Sequence, residues 1–303
     1  MLKDKKVLIT GGSGFIGTNL ILKLKELGAT ILNVSLEEPQ VPVKTLKIDL
    51  TDSDFNFLDR GNFDYVVHLA AFSNHQICQD IREAFKVNVN VTLNFLNELV
   101  NKNVKKIIFM SSIVVYADNV SLPIKESAKL NIHRNNYNFT KGIDEEICDY
   151  FRKNYNLPIL TFRLSNIYGP YQDWKKFPNL LPQIISQAIR DKEIVIWNET
   201  PIRDWIYVKD AIEAIIRSFS SNYNGIMNLG TGKGVSVGEV VKFVAKLTNS
   251  KISCLNKEVT GPKKIICDIN LIRKKLKWQP KVSLEEGLIE TVSYYQDIIK
   301  HAD

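Results

Sequence analysis

The chain has 303 residues, of which 45% are apolar and 24% charged. It is long enough for two domains at ~150 residues each, and its balance excludes disordered, collagen-like and coiled-coil chains. Forty Lys and Arg against 33 Asp and Glu leave a net charge of +7. The basic residues stand singly or in pairs such as Lys105–Lys106 and Lys274–Lys275, a lysine-rich surface and not a nucleic-acid face. At most the charge gives a mild field that favours an anionic small substrate. Cysteines at 78, 148, 254 and 267 form no CxxC pair and no metal-ligand spacing. Free thiols, a reducing compartment and no metal are expected. The first residues lead straight into a strand, and no apolar run approaches the ~20 residues that cross a bilayer. The expectation is a cytoplasmic protein with neither membrane nor nucleic acid among its partners.

In chain order, residues 5–10 read as a short buried strand around Val7-Leu8-Ile9. A glycine-rich stretch over 11–17 follows, then a helix through Leu27. Further strands are expected at 31–34, 45–48 and 65–69. A helix over about 81–101 places Phe85, Val89, Leu93 and Leu96 on one face. A fifth strand over 106–110, a helix over about 137–154 and a sixth strand over 159–163 come next. Short unalternated apolar strands separated by helices are the pattern of a parallel sheet covered on both faces.

After Gly169-Pro170 the texture changes to proline-broken loops carrying Trp174, Trp197 and Trp205. Residues 206–208 and a helix from Asp210 to about Phe219 read as one more strand–helix unit. A Gly-rich loop, a helix near 237–247 and a Lys-rich tail close the chain. The expected architecture is α/β. A Rossmann-type doubly wound parallel sheet takes residues 1–170 plus about 203–228. A smaller C-terminal α/β substrate domain takes about 171–202 plus 229–303.

Gly11, Gly14 and Gly17 in Thr10-Gly-Gly-Ser-Gly-Phe-Ile-Gly17 give a GxxGxxG spacing between first strand and first helix. Glycine allows the tight turn and the close approach of backbone N–H groups to a pyrophosphate, which the helix N-terminus favours. At the end of the second strand, where dinucleotide folds usually carry an acid for the adenosine ribose, stands Ser35. Glu37 and Glu38 follow closely, and no Arg or Lys lies between Lys25 and Lys44 to meet a 2′-phosphate. NAD is favoured, with NADP left open. Asp49-Leu50 either meets the adenine or, for Asp49, caps a turn.

Tyr137 and Lys141 stand four apart at a helix start and so share a face. An ammonium beside a phenol lowers its pKa, and a tyrosinate near neutral pH is a general base. Ser111-Ser112 lies past the fifth strand, where ligands bind in a parallel sheet. Together with His68-Leu69-Ala70-Ala71, Asn88, Tyr137–Lys141 as "YNFTK", "RLSNIYGP" at 163–170, "NLLPQ" at 179–183, "RDWIYVKD" at 203–210 and "MNLGTG" at 227–232, this order resembles an extended short-chain dehydrogenase/reductase. The resemblance, over nearly the whole chain, is to the NAD-dependent epimerase/dehydratase family, which acts mostly on nucleotide sugars.

The resemblance implies roles. Ser112 is the catalytic hydroxyl, Tyr137 the base, and Lys141 the residue that binds the cofactor ribose and tunes Tyr137. Ser13, Phe15 and Ile16 join the glycines around the cofactor, with Leu69, Ala70, Ala71 and Asn88 along its cleft. Asn166 and Asn179, with Leu180 beside it, contact a nucleotide-diphosphate sugar, and Arg203 reaches a phosphate. The alternative for Arg203 is an ion pair with Asp204 or Asp210. Ser73 and His75 lie near the sugar pocket, while His68 reads as structural. Trp197 either packs against a base or belongs to the core. Lys263 or Lys264 takes the place of an arginine found in relatives that use uridine nucleotides. A homodimer through helices 81–101 and 137–154 is also implied, with Phe85, Val89, Phe95, Leu99, Ile143, Ile147, Tyr150 and Phe151 beyond what one buried stripe needs.

The family's dehydratases carry an acid directly after the catalytic hydroxyl; here Ile113 and Val114 follow Ser112. Loss of water and decarboxylation are therefore disfavoured. The reading is an NAD-dependent epimerase acting at C4 through a transient 4-keto sugar. Its rivals are an NAD(P)H-dependent 4-ketoreductase of an activated deoxysugar and a cofactor-binding protein without turnover.

Overall fold

The computed structural model describes residues 2–259 and 261–300. Strands β1 (Lys6–Thr10), β2 (Thr30–Ser35), β3 (Thr45–Lys47), β4 (Tyr65–His68), β5 (Lys106–Ser112) and β6 (Ile159–Leu164) fall where the apolar runs put them. With β10 (Gly225–Leu229) they form one seven-stranded sheet in the order β10-β6-β5-β4-β1-β2-β3. Every pairing in it is parallel. Alternate side chains of one strand serve different cores. Leu8, Val66 and Ile107 join Phe95, Leu96 and Phe151, while Val7, Ile9, Val67 and Ile108 join Leu20, Ile21 and Leu24 of helix α1 (Phe15–Glu26). The strand order reverses between β1 and β4, so the cleft opens beyond the carboxyl ends of those strands.

The seventh strand corrects the sequence reading. The segment read as a strand at 206–208 is β9 (Ile202–Tyr207), and it pairs with β7 (Asn166–Tyr168) and β11 (Gly234–Ser236) in a separate three-stranded sheet. The short mixed run Gly225–Leu229 pairs with β6 instead. A third, two-stranded sheet joins β8 (Glu193–Ile196) to β12 (Lys251–Cys254).

The helix after β4 also differs from its reading. It runs as Ile81–Ala84, a π-helical turn Phe85–Asn90, and Val91–Leu99, and together these form α2. One i→i+5 turn advances the register by a residue. Downstream, Phe95, Leu96 and Leu99 are therefore buried, and Leu93 is exposed. The stripe Phe85–Val89–Leu93–Leu96 is broken at Leu93. Helix α3 (Asn136–Asn154) packs beside α2. Among the described residues no helix is long and apolar enough to cross a membrane.

Candidate active site

The glycine loop is built by steric necessity. Gly11 has φ +73°, and a Cβ there would lie 2.6 Å from the Ala70 backbone nitrogen. A Cβ at Gly17 would run into the backbone of Gly12. Gly14 differs, because its Cβ would meet only the Gly11 carbonyl, at 3.3 Å. The loop is pinned from β2. Gly12 N–H donates to Asn33 Oδ1 at 2.9 Å, Ser13 N–H to Ser35 Oγ at 3.2 Å, and Ser35 Oγ in turn to Asn33 Oδ1 at 3.0 Å. Ser35, the residue at the ribose position, thus spends its hydroxyl on the loop. Asn33 was not singled out from the sequence; its signal is a buried amide two residues before the strand end, facing the glycines.

Beyond β4, Leu69 N–H donates to the Thr10 carbonyl at 3.0 Å, which brings Leu69, Ala70 and Ala71 against the glycine loop. Asn88 is buried in α2. Its Oδ1 accepts from Phe72 N–H at 2.7 Å, and its Nδ2 donates to Thr140 Oγ1 of α3 at 3.0 Å. It ties the cleft wall to the helix that carries Tyr137. Asp49 caps a turn, accepting from Thr51 N–H and Oγ1, and these bonds hold its carboxyl below the usual range. Leu50 beside it is buried.

Ser112 ends β5 half-buried; no hydrogen bond joins its hydroxyl to the Tyr137 phenol among the described residues, but it is near enough to favour the phenolate. Ser111 faces the interior and donates to Glu145. Glu145 is gripped by Arg163 of β6 through Nε at 2.9 Å and Nη2 at 2.6 Å. This buried pair locks β5, β6 and α3 together, and with them Ser112 and Tyr137.

Lys141 shares the Tyr137 face, as the spacing predicts, but its effect on the phenol differs from expectation. Its Nζ donates to the Met110 carbonyl at 3.1 Å, lies 3.7 Å from Asp144 and sits 4.9 Å from the Phe109 ring centre. Burial dominates at Tyr137 and pushes its pKa up to about 12, with Cys78 and then the Asp144 charge adding to the rise and Ser112 opposing it. The lowering expected from Lys141 is therefore corrected: its ammonium is turned to Met110 and Asp144. Asp144, one turn beyond Lys141, was missed from the sequence, although its i+3 spacing from Lys141 put it on the same face. His68 is buried between Thr10 Oγ1 at 2.7 Å and Thr92 Oγ1 at 3.4 Å. Burial first, then Lys141, push its pKa down to about 3, so it is a neutral structural imidazole.

The remaining candidates lie further out. Ser73 and His75 are exposed in the loop after β4. Asn74 between them is buried, accepting from Ile77 N–H and donating to the Phe177 carbonyl. Asn166 opens β7 with its Oδ1 buried and unpartnered among the described residues. Asn179 and Leu180 are exposed at the start of α4 (Leu180–Arg190). Trp197 is 66% exposed, with Lys257 Nζ 5.0 Å from its ring centre, so the core alternative fails. No hydrogen bond or ion pair among the described residues links Asn179, Leu180 or Trp197 to Ser112, Tyr137 or Lys141.

Among the described residues Arg203 donates only to the carbonyls of Ile202 at 2.9 Å and Lys263 at 3.5 Å. Its expected alternative partners are taken. Asp204 accepts from Thr231 N–H and Oγ1, Gly232 N–H and Cys267 N–H, and Asp210 accepts from Lys281 and Val282 N–H. Burial without an acid pushes the guanidinium pKa down. Of the segment 260–264, Thr260 lies outside the described residues.

Residues 7–230 match the model of the "NAD dependent epimerase/dehydratase family". The chain belongs to that family. Its relatives are nucleotide-sugar enzymes of the extended short-chain dehydrogenase/reductase type. A UDP-N-acetyl-alpha-D-glucosaminuronate decarboxylase of Bacillus cytotoxicus is 26% identical, over 97% of this chain and 98% of its own. A solved UDP-glucose 4-epimerase of Thermotoga maritima is 28% identical with a TM-score of 0.90, over 97% and 99% of the two chains. A solved UDP-N-acetylglucosamine 4-epimerase of Methanobrevibacter ruminantium is also 28% identical, with a TM-score of 0.91 over 98% and 99%.

The family's cofactor is NAD, and the residues present fit it. Helix α1 has no side-chain cap at Gly14, so the N–H groups of Phe15, Ile16 and Gly17 have no intrahelical partner and point at the place a pyrophosphate takes. Around Gly14 a Cβ would meet only the Gly11 carbonyl, at 3.3 Å, and a larger side chain would fill the cradle beyond it.

Proposed function

We propose that this family member is a nucleotide-sugar epimerase that inverts C4 of its substrate through a transient 4-keto sugar. One observation carries the reading: Ser112 and Tyr137 meet at the cleft, and the residues that follow Ser112 are aliphatic, Ile113 being buried and Val114 half-buried. Hydroxyl chemistry is supplied there, and a proton donor for loss of water is not. The resemblance to two 4-epimerases over nearly the full chain supports the choice.

In this reading the parallel sheet carries NAD, and segments 171–202 and 229–303 carry the nucleotide sugar. NAD supplies the hydride acceptor and donor. Tyr137 takes the C4 hydroxyl proton while Ser112 donates a hydrogen bond to the same oxygen. Lys141 swings from Met110 and Asp144 to the cofactor ribose and the Tyr137 phenolate, to which it then supplies a cation. Arg203, a desolvated cation with only carbonyl partners, holds a phosphate. Trp197, exposed, offers a face to the base. Tyr137 returns the proton after the keto sugar has turned over.

A nucleotide sugar deuterated at C4 should keep its label through turnover in ordinary water, with no added cofactor and no net NADH formed. Label lost to solvent, or a product lighter by one water, would overturn the reading. Net consumption of NAD(P)H would select the 4-ketoreductase, which the absence of a carboxylate at Ser35 favours.

The working unit in this reading is a homodimer. Phe95, Leu99, Val89 and Phe151 are buried in the protomer's own core and so drop out of the expected second surface. Ile81 and Leu93 on α2 and Tyr150 on α3 are exposed and give a second copy its apolar contact. Light scattering at micromolar concentration should return twice the chain mass; the monomer mass would exclude the dimer.

A further inference from the structure

Asp144 lies on the face of α3 that carries Tyr137 and Lys141. Its side chain is 0% exposed, and neither carboxylate oxygen accepts a hydrogen bond among the described residues. Among the described residues the one cation set against it is Lys141 Nζ, 3.7 Å away and itself nearly inaccessible. Its neighbour Glu145 is in the opposite condition, held by Arg163 and Ser111. A buried carboxylate without donors is costly, and helix packing alone would be served better by an apolar side chain.

The groups that face Asp144 narrow what its charge can act on. His68 of β4 is neutral and committed to Thr10 and Thr92. The Thr92 hydroxyl of α2 and the Lys141 ammonium pull the Asp144 carboxyl down, against burial. Cys78, in the loop after β4, and Cys148, one turn further along α3, are thiols pushed up by burial. Glu145 is neutralised by Arg163. What remains is Lys141, which the carboxylate draws to the Met110 side, and Tyr137, whose ionisation it opposes. Both effects have the same sign.

We propose that Asp144 is a positioning residue of the active site: its carboxylate retains the Lys141 ammonium at the Met110 carbonyl, so that the charge at residue 144 decides how far Lys141 reaches toward the cofactor ribose and the Tyr137 phenol. This rests on Tyr137 and Lys141 acting as described under the proposed function. Loss of the charge frees the ammonium toward the cleft and removes the negative field from the phenol together.

The test is Asp144→Asn in the full chain loaded with NAD. Tyr137 ionisation is followed by NMR of ring-labelled tyrosine, with Tyr137→Phe identifying the signal. The ionisation should move to lower pH by about one unit, the acidic limb of kcat/KM should move with it, and Asp144→Glu should return both toward the wild type. In a Lys141→Met background the Asn substitution should lose much of its effect. Should Asp144→Asn fail to fold, Asp144→Leu removes the same charge while filling the space. Tyr137 ionisation and the pH limb both staying at wild-type values in the variant would overturn the proposal, since a merely structural Asp144 would change melting alone. The NMR reading needs no substrate. A shifted Tyr137 in an enzyme that turns over no nucleotide sugar would sink the proposed function and leave this inference standing. Normal epimerisation with an unmoved Tyr137 would do the reverse.

Discussion

Ser111 and Ser112 are consecutive in β5, and their hydroxyls serve two residues of one helix, α3. Ser111 donates to Glu145, and Ser112 lies near the Tyr137 phenol in the cleft. Ser111 is turned into the core, while Ser112, the last residue of the strand, stands at its carboxyl end beside Tyr137 at the start of α3, since successive side chains of a strand point to opposite faces. A core anchor and a reactive hydroxyl are thereby held in fixed relation by one peptide bond.

The two serines should separate in mutants. Ser111→Ala removes one bond to a buried carboxylate that Arg163 still satisfies, and should cost about 1–3 kcal/mol of stability with turnover retained. Ser112→Ala should leave stability near the wild type and lower kcat. Tyr137→Phe should lower turnover by a factor of ~10² to 10⁴, the range for a lost general base. Urea melts and steady-state kinetics on the three variants check this, and near wild-type turnover in Tyr137→Phe would remove it from the chemistry.

The sequence was most readable where one local rule decided the outcome. Val7-Leu8-Ile9 had only one way to be buried on both faces, and Gly11 and Gly17 had to be glycine for the loop to close. It was least readable where a long-range partner decided. A π-turn over Phe85–Asn90 put Leu93 outside, and no local pattern marks such a turn. The run Gly225–Leu229 became the seventh strand because β6 offered an open edge. Arg203 lost its acidic neighbours because backbone N–H groups 27 or more residues away claimed Asp204 first. The acidity of Tyr137 followed burial first, with Cys78 and Asp144 adding to it, whereas the four-residue spacing to Lys141 spoke only for the ammonium.

Two glycines of the same loop should behave differently. Gly14→Val brings a Cβ to 3.3 Å from the Gly11 carbonyl, the one close contact there, which a shift of a few tenths of an ångström relieves, so the fold should persist and NAD binding should be lost. Gly17→Ala places a methyl against the Gly12 backbone and should lower the melting temperature. Thermal melts with and without NAD distinguish the two. A Gly14→Val protein whose melting NAD still raises would remove the loop from the cofactor site.

The Asp144 carboxyl, held up at about 7 against an ordinary value of 3.8, makes stability depend on pH with a definite sign. Between those values the folded state keeps a proton that the unfolded state has released, so this group's contribution falls as pH rises through the window. His68, lowered to about 3 from 6.5, works oppositely, stabilising as pH rises through its own window. The two overlap, so wild-type data alone do not separate them. The difference between wild type and Asp144→Asn cancels His68. That difference should shift in the variant's favour from pH 4 to about pH 7. Urea melts at both values read it, and a pH-independent difference would show the carboxyl to be unperturbed.

Arg203 is the sharpest prediction for substrate binding, because its environment gives it no structural partner of opposite charge. Among the described residues its guanidinium donates only to the carbonyls of Ile202 and Lys263, and burial already disfavours its charged form. Removing a desolvated charge costs the fold little, whereas removing the partner of a phosphate costs the complex a charge-assisted hydrogen bond of about 1.5–3 kcal/mol. Arg203→Met should therefore melt at or above the wild-type temperature while raising KM for a nucleotide sugar roughly 10- to 150-fold, the equivalent of that energy. Turnover at saturation should stay close to wild type, because a phosphate contact is made equally in ground and transition states. Arg203→Lys should recover part of the loss, since a point charge replaces a planar fork. A lowered melting temperature with KM unmoved would instead make Arg203 a structural residue that bridges Ile202 and Lys263, and the phosphate would need another cation.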